Sequence, residues 1–556
     1  MKKMIVQSIP YFIILCSFTL PRLGHLGQYV TADEPMYLRE SASFYYALSH
    51  GDFSSTFRVI QPGIPTLWTG AAGFLLRFPA YRHVGNTEIA DLHFKELLQE
   101  YQHSPLEMLA FSRSLVVLIT AVLMLACYYY AQRAFGALPS LVGFTIIALD
   151  PVLFAHGRLL ASDWMLAGFA FLSLLALVDF NRYQRKRELV VSGLASGLAC
   201  LSKTTGAFLI PMAGIMIMWC AWHTSGNRTA WIKRATTSLG IWFLSTAAVY
   251  VLFFPAMWVI PLKVLTRMLS FSLESASGEH NTNSFFNGRL FPGGDIGWSY
   301  FYYYPLTFLW RTTPVVMIGI ISALVFWKTY RDPAKRIAIL WLLFYCTLYT
   351  AVMTLSSKKM DRYLTPVYPP LDLLTGVGLV QFTHWVKERK TKTYAQAAAY
   401  LVIAATLVWQ GVLLFRAYPY PLSYYNPVMG GPKRAPAVMM IGWGEGLDQA
   451  ARFLNQQPGI EHKQVVAWYA AAFNFHFDKW AGSIPIRSEI DNLTLSELIN
   501  SDYAVIYVHQ WQRRSSAPLL DYLAQYPPIY SFSQNGIEYV RVYDLGDIRS
   551  ESGSTP

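Results

Sequence analysis

Residues 61–78 read Gln61-Pro62-Gly63-Ile64-Pro65-Thr66-Leu67-Trp68-Thr69-Gly70-Ala71-Ala72-Gly73-Phe74-Leu75-Leu76-Arg77-Phe78. Whether this run crosses a membrane decides how the whole chain is arranged. Its apolar part, 63–78, is short against the roughly 20 residues a spanning helix needs, and two prolines open it. The surrounding chain is strongly apolar. Of 556 residues, 54% are hydrophobic, 15% aromatic and only 14% charged, where a soluble chain carries about 25% charged residues. That deficit describes a polytopic membrane protein. The formal charge of +12 would suggest nucleic acid in a soluble chain. Here Lys and Arg cluster between apolar runs, which is the pattern of membrane topology, so no nucleic-acid partner is expected.

Apolar segments predict eleven spanning helices, at about 4–22, 108–131, 138–154, 160–180, 189–203, 205–222, 235–257, 304–327, 336–355, 364–385 and 395–416. Met1-Lys2-Lys3 and the apolar run to Leu20 are read as a retained first helix, because no clear small-residue cleavage site follows. Four connections are strongly basic: Arg182 to Arg187, Arg228 to Arg234, Lys328 to Arg336, and Lys387 to Lys392. The positive-inside rule puts these four, with Lys2 and Lys3, in the cytoplasm. The assignments agree only if 63–78 does not span. It is therefore expected as a membrane-surface helix inside one large external loop, 23–107. A second external loop is 258–303, the N-terminus is internal and the C-terminus external.

After residue 416 the composition changes. Tyr418-Pro419-Tyr420-Pro421, Asn426-Pro427 and Gly430-Gly431-Pro432 mark a linker. Leu447 to Leu454 suits an amphipathic helix. Val465 to Tyr469 and Tyr503 to Val508 read as buried strands, and Ile529 to Val542 as a hairpin turning at Asn535-Gly536. The fold class is thus mainly α: a helical membrane bundle over 1–416 with a small external α/β domain over 417–556. Gly442-Trp443-Gly444-Glu445-Gly446 lacks the strand–helix context of a nucleotide loop and is read as turn or domain packing. The cysteines Cys16, Cys127, Cys200, Cys220 and Cys346 all lie in apolar segments without a CxxC pair, so neither a disulfide nor a zinc site is expected.

The candidate chemistry lies at external helix ends. Asp33 and Glu34, in Thr31-Ala32-Asp33-Glu34-Pro35-Met36-Tyr37, follow the first helix closely. Adjacent side chains diverge on any regular element, so one is free to act as a base while the other takes a second role. His156, Arg158 and Asp163 share one turn, and Lys203 sits between two short apolar halves. Ionisable groups at such depth pair or line a site. Ser356-Ser357-Lys358-Lys359-Met360-Asp361-Arg362-Tyr363 breaks the chain's own charge rule by placing three cations outside, which points to an anion site. His280, Arg267 and Arg289 in the second loop are further candidates. No HxxxH or HExxH spacing is present, so no structural metal is expected.

The Asp33-Glu34 pair, His156-Gly157-Arg158 with Asp163, Leu201-Ser202-Lys203, and Lys358-Lys359-Met360-Asp361-Arg362-Tyr363-Leu364-Thr365-Pro366 together resemble the C-type (GT-C) membrane glycosyltransferases. The match is to their protein O-mannosyltransferase and aminoarabinose transferase branch, over roughly residues 1 to 416. The resemblance implies an inverting transfer of a sugar from a polyprenyl-phosphate donor to an acceptor hydroxyl (protein, lipid or glycan) on the external face. It implies Asp33 as the base, with Glu34 beside it. Arg158, Lys203, Lys358, Lys359 and Arg362 would hold the donor phosphate, and His156, Asp163, His280 and Tyr363 would touch substrate. Adjacent carboxylates have the chemistry to bind Mg²⁺ or Mn²⁺, but a single-phosphate donor does not demand it, so no cofactor is required. The short loop at 258–303 leaves no room for an inserted sugar-binding repeat domain, which favours a bacterial or archaeal cell membrane. The rival readings are a flippase for lipid-linked sugars and a membrane scaffold with an external binding domain.

Overall fold

The computed structural model describes the chain apart from residues 1, 60, 278–281, 295, 298–299, 390–392, 488–489 and 553–556. The principal helices are α1 (Lys2–Leu23), α2 (Glu34–Ser49), α3 (Ile64–Arg77), α4 (Pro105–Phe135), α5 (Ala137–Leu149), α6 (Ser162–Tyr183), α7 (Lys186–Ser202), α8 (Leu209–Thr224), α9 (Arg228–Phe253), α10 (Tyr303–Arg311), α11 (Pro314–Val325), α12 (Pro333–Leu355), α13 (Tyr368–Arg389) and α14 (Thr393–Ala417). Each predicted span has its helix. Among the described residues, six helices are long and apolar enough to cross a membrane, or seven if α10 and α11 count as one span. One of the predicted spans that falls short is α7, whose glycines and serines lower its hydropathy while letting neighbours approach. A Cβ on Gly193 would sit 2.5 Å from Trp242 O, and one on Gly197 2.7 Å from Thr246 O. Ser173 Oγ of α6 lies 2.8 Å from Ser192 and 2.7 Å from Ser196. This is small-residue packing of the kind that holds helices together in lipid.

The expected single span at 304–327 is instead a pair bent by 113°. Pro314 cannot donate to the turn before it and disfavours helix at Thr313. Thr313 becomes the cap of α11, accepting from Val316 N, and donates to Gln410 Oε1 at 2.8 Å. The break turns Arg311 inward.

Helix α3 has 14 residues and packs against α2 and α4. A Cβ on Gly70 would meet Ser41 Oγ at 2.1 Å, and one on Gly73 would meet Ser112 Oγ at 2.5 Å, so both glycines serve close helix contact. Trp68, Leu75 and Leu76 face outward. Gly63 N donates to Ser202 O, tying the start of α3 to the end of α7.

Beyond α14 the predicted linker is an ordered strap, with Pro421 to Asn426 buried. Arg311 donates to its carbonyls at Leu422 and Tyr424. A small hairpin of β1 (Ser284–Phe286) and β2 (Arg289–Phe291) precedes α10. The C-terminal sheet has β3 (Val465–Ala467), β4 (Ala481–Ser483), β5 (Tyr503–Tyr507), β6 (Tyr530–Gln534) and β7 (Ile537–Asp544), in the order β4-β3-β5-β7-β6. β3 is parallel to β4 and β5, and β7 antiparallel to β5 and β6. The hairpin turns at Asn535 and Gly536, both with positive φ, as the Asn-Gly pair requires. β3 stops two residues short of the predicted Tyr469, which takes a left-handed conformation (φ 57°) and caps a short helix.

Candidate functional site

A cavity of about 360 Å³ lies where the helical bundle meets the α/β domain. The residues just before α2, both ends of α10 and the start of α13 line it. Asp33 and His156 line one side; Lys358, Asp361, Arg362 and Arg311 line another; and Trp443, Glu445, Tyr469, His509 and Arg513 of the C-terminal domain close it.

The two adjacent carboxylates diverge. The Asp33 side chain is 36% exposed and forms an ion pair with Arg362 Nη2 at 3.2 Å. Glu34 is wholly buried and does not reach the cavity. Its oxygens accept from Thr31 N at 3.0 Å, Thr31 Oγ1 at 2.9 Å, Leu160 N at 2.9 Å and Arg113 Nε at 2.7 Å, with Arg113 Nη2 closing a bidentate pair. Burial works to raise the Glu34 carboxyl, but the Arg113 charge and these bonds hold it below its usual value. No acceptor capacity is left for catalysis, so the expected catalytic role of Glu34 is replaced by a structural one.

The cations sort in the same way. Lys358 and Arg362 face the cavity. Burial works against the Arg362 charge, yet Asp33 and Asp163 raise it above the ordinary arginine range. Lys359 is turned inward, donating to the carbonyls of Thr354 and Ser356, and is 1% exposed. Arg158 is also diverted: its Nη2 donates to the carbonyls of Gly24 and His25, at 2.7 Å each, pinning the chain that leaves α1. Lys203 gives its charge to Asp163 at 2.7 Å and lies over the Tyr363 ring, 4.6 Å from its centroid. Asp163 also lies 4.0 Å from Arg362 Nε. Asp163, Lys203 and Tyr363 therefore back the cavity-lining Arg362 rather than face substrate. An anion site built from all five predicted cations is thus reduced to Lys358 and Arg362.

His156 lines the cavity as expected, and burial pushes its pKa down to about 4, leaving a neutral imidazole. His280 lies outside the described residues. Arg267 and Arg289 are exposed and Arg289 meets Tyr300 instead. No group of three or more His, Cys, Asp or Glu placed to hold a metal occurs among the described residues.

Two features of the cavity go beyond what the sequence predicts. Arg311 holds Asp361, at 2.7 Å from Nε and 2.6 Å from Nη2. Burial pushes the Asp361 carboxyl up, and the Arg311 charge more than offsets this, leaving it below the usual range. A charged residue inside a predicted span was the available signal. The second is the Gly442–Gly446 loop. All three glycines have positive φ. A Cβ on Gly444 would come within 2.2 Å of Val30 O, so only glycine allows the loop to reach the segment before Asp33. Ala32 N donates to Trp443 O at 3.0 Å. The loop is domain packing, as read, but it also roofs the cavity.

A second hollow of about 630 Å³ is an apolar groove lined by Tyr304, Phe308, Leu343, Ala351, Leu364 and Leu371, among others. Its walls come from α10 to α13, and it shares the 354–371 segment with the cavity.

This is a membrane helical bundle that carries an α/β domain over a carboxylate-and-cation cavity. Residues 111–258 match the family described as dolichyl-phosphate-mannose-protein mannosyltransferase, and the chain resembles that group. No curated protein matches it. Among solved structures, it is similar to ArnT from Cupriavidus metallidurans bound to undecaprenyl phosphate, at 13% identity and a TM-score of 0.47, covering 97% of each chain. It is similar to the oligosaccharyltransferase AglB from Archaeoglobus fulgidus at 11% identity and a TM-score of 0.47, covering 96% of this chain and 74% of that one. The protein O-mannosyltransferase Pmt1-Pmt2 complex of S. cerevisiae is matched at 18% identity and a TM-score of 0.35, over 52% of this chain and 39% of that one.

Proposed function

We propose that this chain is a membrane glycosyltransferase that moves a sugar from a polyprenyl-phosphate donor to an acceptor hydroxyl at the external membrane face, with inversion. One observation carries the reading. An accessible carboxylate, Asp33, faces a cavity presenting Lys358 and Arg362, and an apolar groove shares the same 354–371 segment. A lipid chain in the groove would deliver its phosphate to those two cations.

Asp33 takes the proton of the acceptor hydroxyl as it attacks the anomeric carbon. The bond to the phosphate oxygen breaks, and the negative charge developing there is met by Lys358 and Arg362. Neutral His156 offers a hydrogen bond to a substrate hydroxyl. In this reading the basic loops lie inside and the α/β domain outside. The acceptor is a protein, lipid or glycan hydroxyl. The reaction as drawn needs no cofactor, because Asp33 is already paired with Arg362 and its neighbour Glu34 is committed to Arg113. Transfer retained after exhaustive chelation is the expected outcome, and a loss restored by Mg²⁺ or Mn²⁺ would replace this view.

The sharp break between α10 and α11 is a feature transporters also use, so a flippase is the second reading. Purified protein in detergent, given a polyprenyl-phosphate sugar and candidate acceptors, tests both. Formation of a glycosylated product supports transfer. No product in detergent, with movement of the same lipid across vesicles, would support the flippase.

A further inference from the structure

The Asp33–Arg362 pair is held from both sides, and one side is the C-terminal domain. From the bundle, Glu34 fixes Thr31 through its backbone amide and hydroxyl. From the α/β domain, Trp443 O accepts the Ala32 amide at 3.0 Å. The same residue lays its ring against the Arg362 guanidinium, 4.4 Å from carbon to centroid, and meets the His156 ring at 5.7 Å. Trp443 thus touches the backbone beside the carboxylate, the cation paired with it, and the neutral histidine of the cavity wall.

The loop that carries it is anchored to the sheet. Glu445 accepts from Trp443 N at 2.6 Å and from Tyr507 Oη at 3.0 Å, while Gly444 N donates to the same hydroxyl at 2.6 Å. Tyr507 ends β5, at the heart of the domain. The position of the loop is therefore set by the domain core. The indole N–H makes no hydrogen bond among the described residues, and the ring is held by its faces.

We infer that Trp443 is a positioning residue for the transfer reaction, so that the α/β domain is part of the catalytic unit rather than an appendage. This rests on the reading of Asp33 and Arg362 given above. The chemistry asked of the ring is a π face for a guanidinium, which phenylalanine also supplies and leucine does not.

The test compares Trp443→Phe, Trp443→Leu and Asp33→Asn in the full-length purified protein, using sugar transfer from a polyprenyl-phosphate donor and thermal melting. Leucine fills most of the ring's volume, which keeps the loop packed. Trp443→Phe is expected to keep kcat within about threefold. Trp443→Leu is expected to lose about 10- to 100-fold in kcat, the scale of a small misplacement of reacting groups. Its donor KM should change far less than its kcat, because Lys358 is untouched and Arg362 keeps its charge. A Leu variant with normal kcat, or a Phe variant as poor as Leu at equal melting temperature, overturns the inference. If Asp33→Asn is inactive while Trp443→Leu is normal, only the positioning role falls. If Asp33→Asn transfers normally, the reading of the base falls with it.

Discussion

Two neighbouring carboxylates divide the work of this site. Asp33 faces the cavity and Glu34 anchors the chain behind it. Removing either charge should therefore produce opposite phenotypes. Glu34→Gln leaves the fully buried Arg113 without its anion, a loss of about 3–5 kcal/mol, and is expected to fail in expression or to melt far below wild type. The sign in pH follows from the depressed Glu34 carboxyl. Its contribution is complete above the unfolded value of 4.5 and is lost as the pH falls through the lower folded value. Thermal melts should be flat in this respect from pH 8 to 5 and fall in more acid buffer, and a melt that rises on acidification would refute the assignment. Lys358→Met should raise the donor KM about tenfold or more, from the loss of a charge-assisted hydrogen bond worth roughly 1.5–3 kcal/mol, with the melting temperature unchanged. The sequence foretold that the pair would diverge. It did not reveal which member was free, because Glu34's partner Arg113 lies 79 positions away, on a helix read only for its apolarity.

Among the elements, those with a periodic or compositional signal were legible and those made by tertiary contact were not. The helices of the apolar segments, the helix at 64–77 and the Asn535-Gly536 hairpin follow directly from local pattern. The break at Thr312-Thr313 was missed because the apolar run continues through it, although Pro314 marked the place. Arg158 and Lys359 were wrongly assigned to an anion because nothing local shows that backbone carbonyls will take their charge. The glycine loop at 442–446 carried a pattern whose reason, close approach to Val30, exists only once two distant segments meet. Gly444→Ala should strain that contact through both φ and the clash, costing about 1–3 kcal/mol. Hydrogen exchange should then rise at residues 30–33 and 442–446, and unchanged exchange at both segments would show the approach to be unimportant.

For the molecule as a whole, the proposed transfer makes the cavity and the groove one substrate path from lipid to water. Bulk in the groove should discriminate by lipid length. Ala351→Trp is expected to raise the KM for a long-chain donor while leaving a short-chain analogue near normal, and equal effects on both would disconnect the groove from the site. The helical bundle and the domain order were readable from composition and charge. The joint between them was not, because residues from 31–33, 358–362 and 442–445 come together only across the fold. All of this turns on Asp33 acting on the acceptor. The most direct measurement is the single-turnover rate of sugar transfer by purified Asp33→Asn, alongside its donor binding and melting temperature. The prediction is a fall of about 10²-fold or more, with donor binding and melting near wild type. A rate close to wild type in that folded variant would contradict it.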